Sequence, residues 1–258
     1  MKNRSLHLFL LVSSWVVGAA SGQVSVYVSP NDIETAAASG IAGTTNRTET
    51  FNSLATGTAS IASYHSSAIG ATYTTTGNTR IIGNDKFGGY QQGNYLGLPN
   101  GASSTITLDP GTSAQYFGFY FTAGDRYNQI QIYSGNTLLL SFTTATLIDM
   151  LPKTVGSKVM AINGSIYNTV DYYGKPVTNE NNVEPYAYLH FITSGSVTFD
   201  KIVLTQALGT SSIFENDNHS ILAVAPTLPD SLVVVPVPEP GSLTLFGLAS
   251  CFLFRRKR

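Results

Sequence analysis

Three sets of polar residues in this sequence have side chains suited to chemistry. The first is an oxygen-rich run, Phe214-Glu215-Asn216-Asp217-Asn218, with Asp200 upstream behind Phe199. Calcium takes about six to eight oxygen ligands from carboxylates, amides and carbonyls. Asp200, Glu215, Asp217 and Asn218 are therefore candidate ligands for a structural Ca2+. The same side chains would serve equally as turn caps bonded to backbone groups. The second set is the tyrosine pair of Asp171-Tyr172-Tyr173-Gly174-Lys175-Pro176. Tyrosine joins an apolar face to a polar tip, so Tyr172 and Tyr173 are candidate glycan contacts, and structural tyrosines of a β-sandwich are the plainer alternative. The third set is the carboxylates. Glycoside hydrolysis needs two acids facing each other across the substrate. Asp125, Asp149, Asp171, Glu180 and Glu184 are available, and nothing in their spacing selects a pair.

His7, His65, His190 and His219 lack metal-ligand spacing. There is no Gly-x-Ser-x-Gly elbow and no phosphate-binding glycine loop. No catalytic residue is assigned. The body reads as a non-enzymatic surface or matrix protein with weak glycan affinity. A polysaccharide-degrading enzyme is one alternative, and it predicts a groove with paired carboxylates. An adhesin or ice-binding protein is another, and it needs a regular threonine array that Thr72, Thr74, Thr75 and Thr76 only begin.

The elements that must carry these residues are strands. Between Gln23 and Ala225, short runs rich in Val, Ile, Thr, Tyr and Phe alternate with Gly, Asn, Asp and Pro. Gln115-Tyr116-Phe117-Gly118-Phe119-Tyr120-Phe121 is aromatic on both faces and predicts a central, buried strand. Asn128–Tyr133 and Thr137–Phe142 flank Ser134-Gly135-Asn136 and predict a hairpin. Further strands are expected at 24–28, 48–51, 71–75, 104–108, 186–192, 197–199, 201–205 and 220–224. Roughly ten strands at regular spacing predict an all-β fold, a single β-sandwich of jelly-roll type over residues 23–225. Minor helix is expected at 33–38 and 146–151.

Composition narrows the partners. Of 258 residues 43% are hydrophobic, enough for a sizeable core, and only 11% are charged. Setting aside Lys2, Arg4, the four terminal basic residues and Glu239 leaves eight basic residues against fourteen acidic ones. Such an acidic body does not seek nucleic acid. The single cysteine, Cys251, excludes a disulfide within the chain.

Both ends read as addresses. Lys2 and Arg4, the apolar stretch Leu6 to Val17 and the small residues Gly18-Ala19-Ala20-Ser21-Gly22 predict a signal peptide over 1–22, cut by signal peptidase. Pro226, Pro229, Pro236, Pro238 and Pro240 predict an extended linker over 226–236. After it comes an apolar run, Leu243 to Phe254, then Arg255-Arg256-Lys257-Arg258. As a helix the run would be about 18 Å long, short of the roughly 30 Å hydrocarbon core. It suits a transient hydrophobic helix in the inner membrane, stopped by Arg255, Arg256, Lys257 and Arg258 on the cytoplasmic side.

The order Val237-Pro238-Glu239-Pro240-Gly241-Ser242, apolar run and basic end, over 237–258, resembles the PEP-CTERM sorting signal. The resemblance implies recognition by an exosortase, removal of the tail near Pro238, Glu239 and Pro240, delivery to the cell surface, and association with exopolysaccharide. The body in turn is similar to a group of exosortase-dependent surface proteins. The likeness lies in Tyr95-Leu96-Gly97, Tyr116 to Tyr120, Asp125 to Ile130, Phe199-Asp200-Lys201-Ile202-Val203 and Phe214 to His219. It implies a surface location and names no reaction.

Overall fold

The computed structural model describes residues 23–57, 62–89, 93–174, 180–209, 211–230 and 232. The expected signal peptide over 1–22 and the expected sorting tail over 237–258, with Pro238, Glu239, Pro240 and Arg255 to Arg258, lie outside them.

The chain is mostly strand. In order the strands are β1 (Val24–Val28), β2 (Thr48–Glu49), β3 (Ser63–Ser66), β4 (Ala71–Thr75) and β5 (Arg80–Gly83). They continue with β6 (Asn94–Pro99), β7 (Ser103–Leu108), β8 (Tyr116–Thr122), β9 (Asn128–Ser134) and β10 (Thr137–Thr143). After the short helix α1 (Thr144–Met150) come β11 (Lys158–Met160), β12 (Ile166–Asn168), β13 (Ala187–Thr193), β14 (Lys201–Gln206) and β15 (Ile213–Leu222). One sheet runs β1-β13-β8-β15-β6-β5, with β2 also paired to β15. The second runs β10-β9-β14-β7-β4-β3, and β11 and β12 form a separate pair. All pairings among them are antiparallel.

The two large sheets share one core. Phe117, Phe119 and Phe191 on the first sheet meet Ile106, Ile130, Phe142, Ile202 and Leu204 on the second. Phe142 stands edge-on to Phe191 with ring centroids 5.5 Å apart. Two polar links also cross the gap. The Tyr73 hydroxyl lies 2.9 Å from His219 Nδ1, and the Tyr64 hydroxyl donates to Glu49 Oε2 at 2.7 Å.

The first sheet is buried on its other face too. Every residue of β8 and of β13 is buried. The outward residues of these strands and of β1 are Tyr27, Tyr116, Tyr120, Tyr188, His190 and Ile192, packed beneath Ala36, Ile41 and Ile162. The expected helix at 33–38 is instead a chain of turns in this cover. The Thr35 hydroxyl accepts from Ala38 N, Ser39 Oγ donates to the Thr35 carbonyl, and Gly40 takes φ of 85°. These local bonds compete with a helical ladder. The expected 146–151 helix is α1, capped by the Thr143 hydroxyl accepting from Thr146 N.

The proline-rich segment begins on the domain rather than clear of it. Leu228 and Leu232 pack against the tyrosine layer, and Ala225 N donates to Gln115 Oε1. Among the described residues no helix is long and apolar enough to cross a membrane.

Gly118 makes the tyrosine layer closable. It lies opposite His190 on β13, and the Tyr116 hydroxyl bends over it to reach His190 Nδ1 at 3.0 Å. A Cβ at Gly118 would stand 2.3 Å from the Tyr116 hydroxyl oxygen and 2.8 Å from the Tyr188 ring. Gly118→Ala is therefore expected to lower stability by about 1–3 kcal/mol, read as a shift in the urea midpoint at unchanged slope.

Candidate functional site

Four separated segments bring charged residues to one edge of the first sheet. The register fixes the floor. Arg80 on β5 is opposite Gly97 on β6, Gly97 is opposite Glu215 on β15, and Glu215 is opposite Thr122 on β8. Directly opposed residues share a face, so Arg80, Glu215 and Thr122 look outward together, and the Ile82 and Ile213 side chains lie over Gly97 between them. A Cβ at Gly97 would meet Ile82 Cδ1 at 2.5 Å and Ile213 at 3.2 Å.

Loops raise the walls. Asp85 and Phe87 follow β5, Asp125 follows β8, and Glu184 precedes β13. With Arg80, Tyr95 and Glu215 they line a cavity of about 370 Å³. Each acid is held by its own partners. Asp85 Oδ1 accepts from Phe87 N and Gly88 N at 2.8 and 3.1 Å, and the Tyr95 hydroxyl donates to both Asp85 oxygens at 3.2 Å. Asp125 Oδ1 accepts from Tyr127 N at 2.8 Å and Oδ2 from Gln206 Nε2 at 3.3 Å. Glu184 Oε2 accepts from Asn181 Nδ2, which also donates to the Tyr186 hydroxyl. That hydroxyl donates to the Lys86 carbonyl and ties two walls together.

Glu215 is the unusual group. It is 6% exposed. Burial, then its own amide acting in the opposite sense, then Asp125, Glu184 and Asp85 set its pKa, which is pushed up to about 9. It keeps its proton at pH 7, with Asp85, Asp125 and Glu184 around it. Beside it the Thr122 hydroxyl is fully buried with no hydrogen-bond partner among the described residues.

The expected sites fare differently. The four calcium candidates lie in three places. Asp200 is at the end of the second sheet, where its carboxylate accepts from Gly135 N at 2.9 Å. Glu215 is in the cleft. Asp217 and Asn218 lie under the turn cover, where Asn218 N donates to Asp217 Oδ1 and Asn218 Nδ2 to the Glu34 carbonyl. The structure does not assemble that ligand set, and among the described residues no cluster of three or more His, Cys, Asp or Glu could hold a metal.

The tyrosine platform is also corrected. Tyr172 is a core residue, 1% exposed, whose hydroxyl donates to the Ser29 carbonyl at 2.6 Å. Tyr173 is half-buried and donates to the Leu151 carbonyl. Of the scattered carboxylates, Asp125 and Glu184 meet in the cleft. Asp171 is bonded to Asn168, and Asp149 lies on α1. Sequence reasoning missed Arg80 and Asp85. Only the strand register brings Arg80 to Glu215, and no spacing in the sequence reveals it.

The polar run Glu215–His219 is mid-strand rather than loop. Asn218 takes φ of 53° in a bulge between Asp217 and Ser220. His219 turns inward and bonds Asn216 Oδ1 and Tyr73. Burial pushes His190 and His219 down to about 3.

These shifts act on stability in opposite directions. The unfolded histidines take up protons from pH 6.5 downward and the folded ones only near 3, so stability falls as pH drops through that window. Folded Glu215 keeps its proton to about 9 whereas the unfolded group loses it near 4.5, so stability falls as pH rises between them. Above pH 6.5 Glu215 acts alone among the three, at up to about 1.4 kcal/mol per pH unit. Between pH 7 and 9 the protein is expected to lose roughly 2 kcal/mol in chemical denaturation. Glu215→Gln should flatten that limb, and an unchanged limb in the variant would contradict the assignment.

Comparison with known proteins addresses the tail. No curated protein matches the chain. The family model of the PEP-CTERM protein-sorting motif matches residues 236–258. The chain therefore carries a PEP-CTERM sorting motif, which makes it an exosortase-targeted protein exported toward the cell surface.

Proposed function

We propose that this protein is a processed cell-surface or matrix domain that holds a neutral glycan in the acidic cleft. The observation that carries the reading is the cavity that gathers Arg80, Asp85, Asp125, Glu184 and Glu215 beside Phe87 and Tyr95. Its volume falls in the range of small-molecule sites. Asp85, Asp125 and Glu184 accept from sugar hydroxyls, Arg80 donates, and Phe87 offers an apolar face. The acid surplus in the cleft and in the body disfavours polyanions.

Strand order supports a jelly-roll reading of the sandwich. The chain passes between sheets so that β6-β15-β8-β13 faces β7-β14-β9-β10, the wiring of two Greek keys. Export proceeds through signal peptidase and a transient inner-membrane stage. Exosortase cleavage near Pro238 then releases the domain, with exopolysaccharide as the natural source of the ligand.

Two measurements test this. Intact mass of surface-extracted protein should show loss of the chain beyond about Pro238, and a full-length C-terminus would refute processing. The same material on an array of neutral oligosaccharides should bind a subset. Gly97→Val, which pushes Ile82 into the cavity, should weaken that binding at least tenfold. Equal binding by the variant would place the glycan elsewhere.

A further inference from the structure

The acidic cleft occupies only one end of the sandwich. It lies where β8 ends and β15 begins. The antiparallel pairing of these strands puts Ile221 and Leu222 at the opposite end, across from Phe117 and Tyr116. A second cavity of about 380 Å³ opens there, between Arg47, Ser67, Asp109, Ser113 and Ile221. A third, of about 290 Å³, runs on past Asn136 to Lys201. The two share Leu108, Asp109 and Thr112 and so form one groove. From Glu215 in the cleft to Ile221 in the groove, β15 covers about 20 Å at ordinary strand spacing.

The groove is set by turns bonded to one another. Thr112 N and Oγ1 donate to the Asp109 carbonyl. Asp109 N donates to the Gly70 carbonyl and so joins the β3–β4 turn to the β7–β8 connection. Leu108 N donates to the Asp200 carbonyl, and Asp200 Oδ1 accepts from Gly135 N in the β9–β10 turn. Walls fixed in this way need little ordering when a ligand binds.

The lining suits an uncharged polyhydroxyl chain. Arg47 and Lys201 stand with Asp109 and Asp200, so the formal charges balance and the groove exerts no net pull on a polyanion. Both acids already have partners, Asp109 at His65 Nε2, 3.0 Å away, and Asp200 at Gly135 N. Asn46, Arg47, Ser67 and Ser113 are exposed, and among the described residues their side chains make no hydrogen bond. Their amide, guanidinium and hydroxyl groups are therefore available to sugar hydroxyls. Buried Ile69, Leu108 and Ile221 give the groove an apolar side for a ring face.

We infer that this groove is a second glycan site, which takes a passing strand of neutral polysaccharide. One processed domain, with the cleft at its other end, then joins two strands. The joining rests on the glycan-binding reading of the cleft above, whereas the groove stands on its own residues.

The test uses the surface-extracted protein and a short neutral oligosaccharide that it binds on the array, with calorimetric titration as the readout. Wild type should take up two oligosaccharides per chain. Gly97→Val, which closes the cleft, and Ser67→Trp, which fills the groove from an exposed turn, should each leave one, and the double variant none. Arg47→Ala should weaken the groove's site at least about tenfold, the effect of one hydrogen bond from a charged group. Mixed with the parent polysaccharide, wild type should raise turbidity and neither single variant should. A circular-dichroism melt checks the folding of each variant, and Arg80→Ala replaces Gly97→Val should the latter unfold. A single site that survives Ser67→Trp and disappears in the cleft variant overturns the groove and leaves the cleft reading standing. A single site with the reverse pattern overturns the cleft reading and the joining of strands. Two sites without turbidity overturn the joining alone. Binding that no substitution moves, or no binding to any neutral sugar, overturns both readings.

Discussion

The structure depends on burying one sheet on both faces. An antiparallel sheet ordinarily keeps one face wet, yet β8 and β13 have no exposed residue. The outward side chains include tyrosines, a histidine and serines, so their polar atoms must be satisfied without water. Ser29 meets this need by bonding His190 Nε2 at 2.8 Å and Ser39 at 2.5 Å. Tyr116 completes the line at His190 Nδ1, and Tyr188 bonds the Asn218 carbonyl and Ser220. The turn-rich segment after β1 supplies the matching groups. The unpaired state of any one of them would be expensive, and this ties the cover to the sheet.

The sandwich was legible where side chains alternate. Ala71–Thr75, Asn128–Tyr133 and Thr137–Phe142 fall within strands at nearly the expected bounds, and Gly135, with φ of 55°, turns the hairpin. The double-sided aromatic run at Tyr116–Phe121 announced its own burial. Glu215–His219 did not, because a polar run inside a strand is readable only when its partners are known. Those partners are Tyr73, Glu34 and Thr122, far away in sequence. Tyr172 is the converse case, where the plainer structural alternative fits, although one tyrosine in a polar segment gives no sign that its hydroxyl reaches Ser29.

The cleft illustrates how loops acquire chemistry on a rigid scaffold. Strands supply only its floor, and each wall comes from a different connection. Asp85 closes a tight turn on Phe87 and Gly88, while Asp125 is braced from β14. A search for paired acids at a fixed spacing fails in such a case, because it is the sheet order that brings residues 80, 97, 215 and 122 into one row.

The docking of Leu228 and Leu232 on the tyrosine layer has a consequence for how the sorting motif is presented. Only five residues lie between Leu232 and Pro238, a reach of at most about 20 Å for extended chain. An exosortase that engages the motif therefore comes within touching distance of the folded domain. The shape and charge of the domain's surface around Leu228 and Leu232 therefore become part of what an exosortase must accommodate.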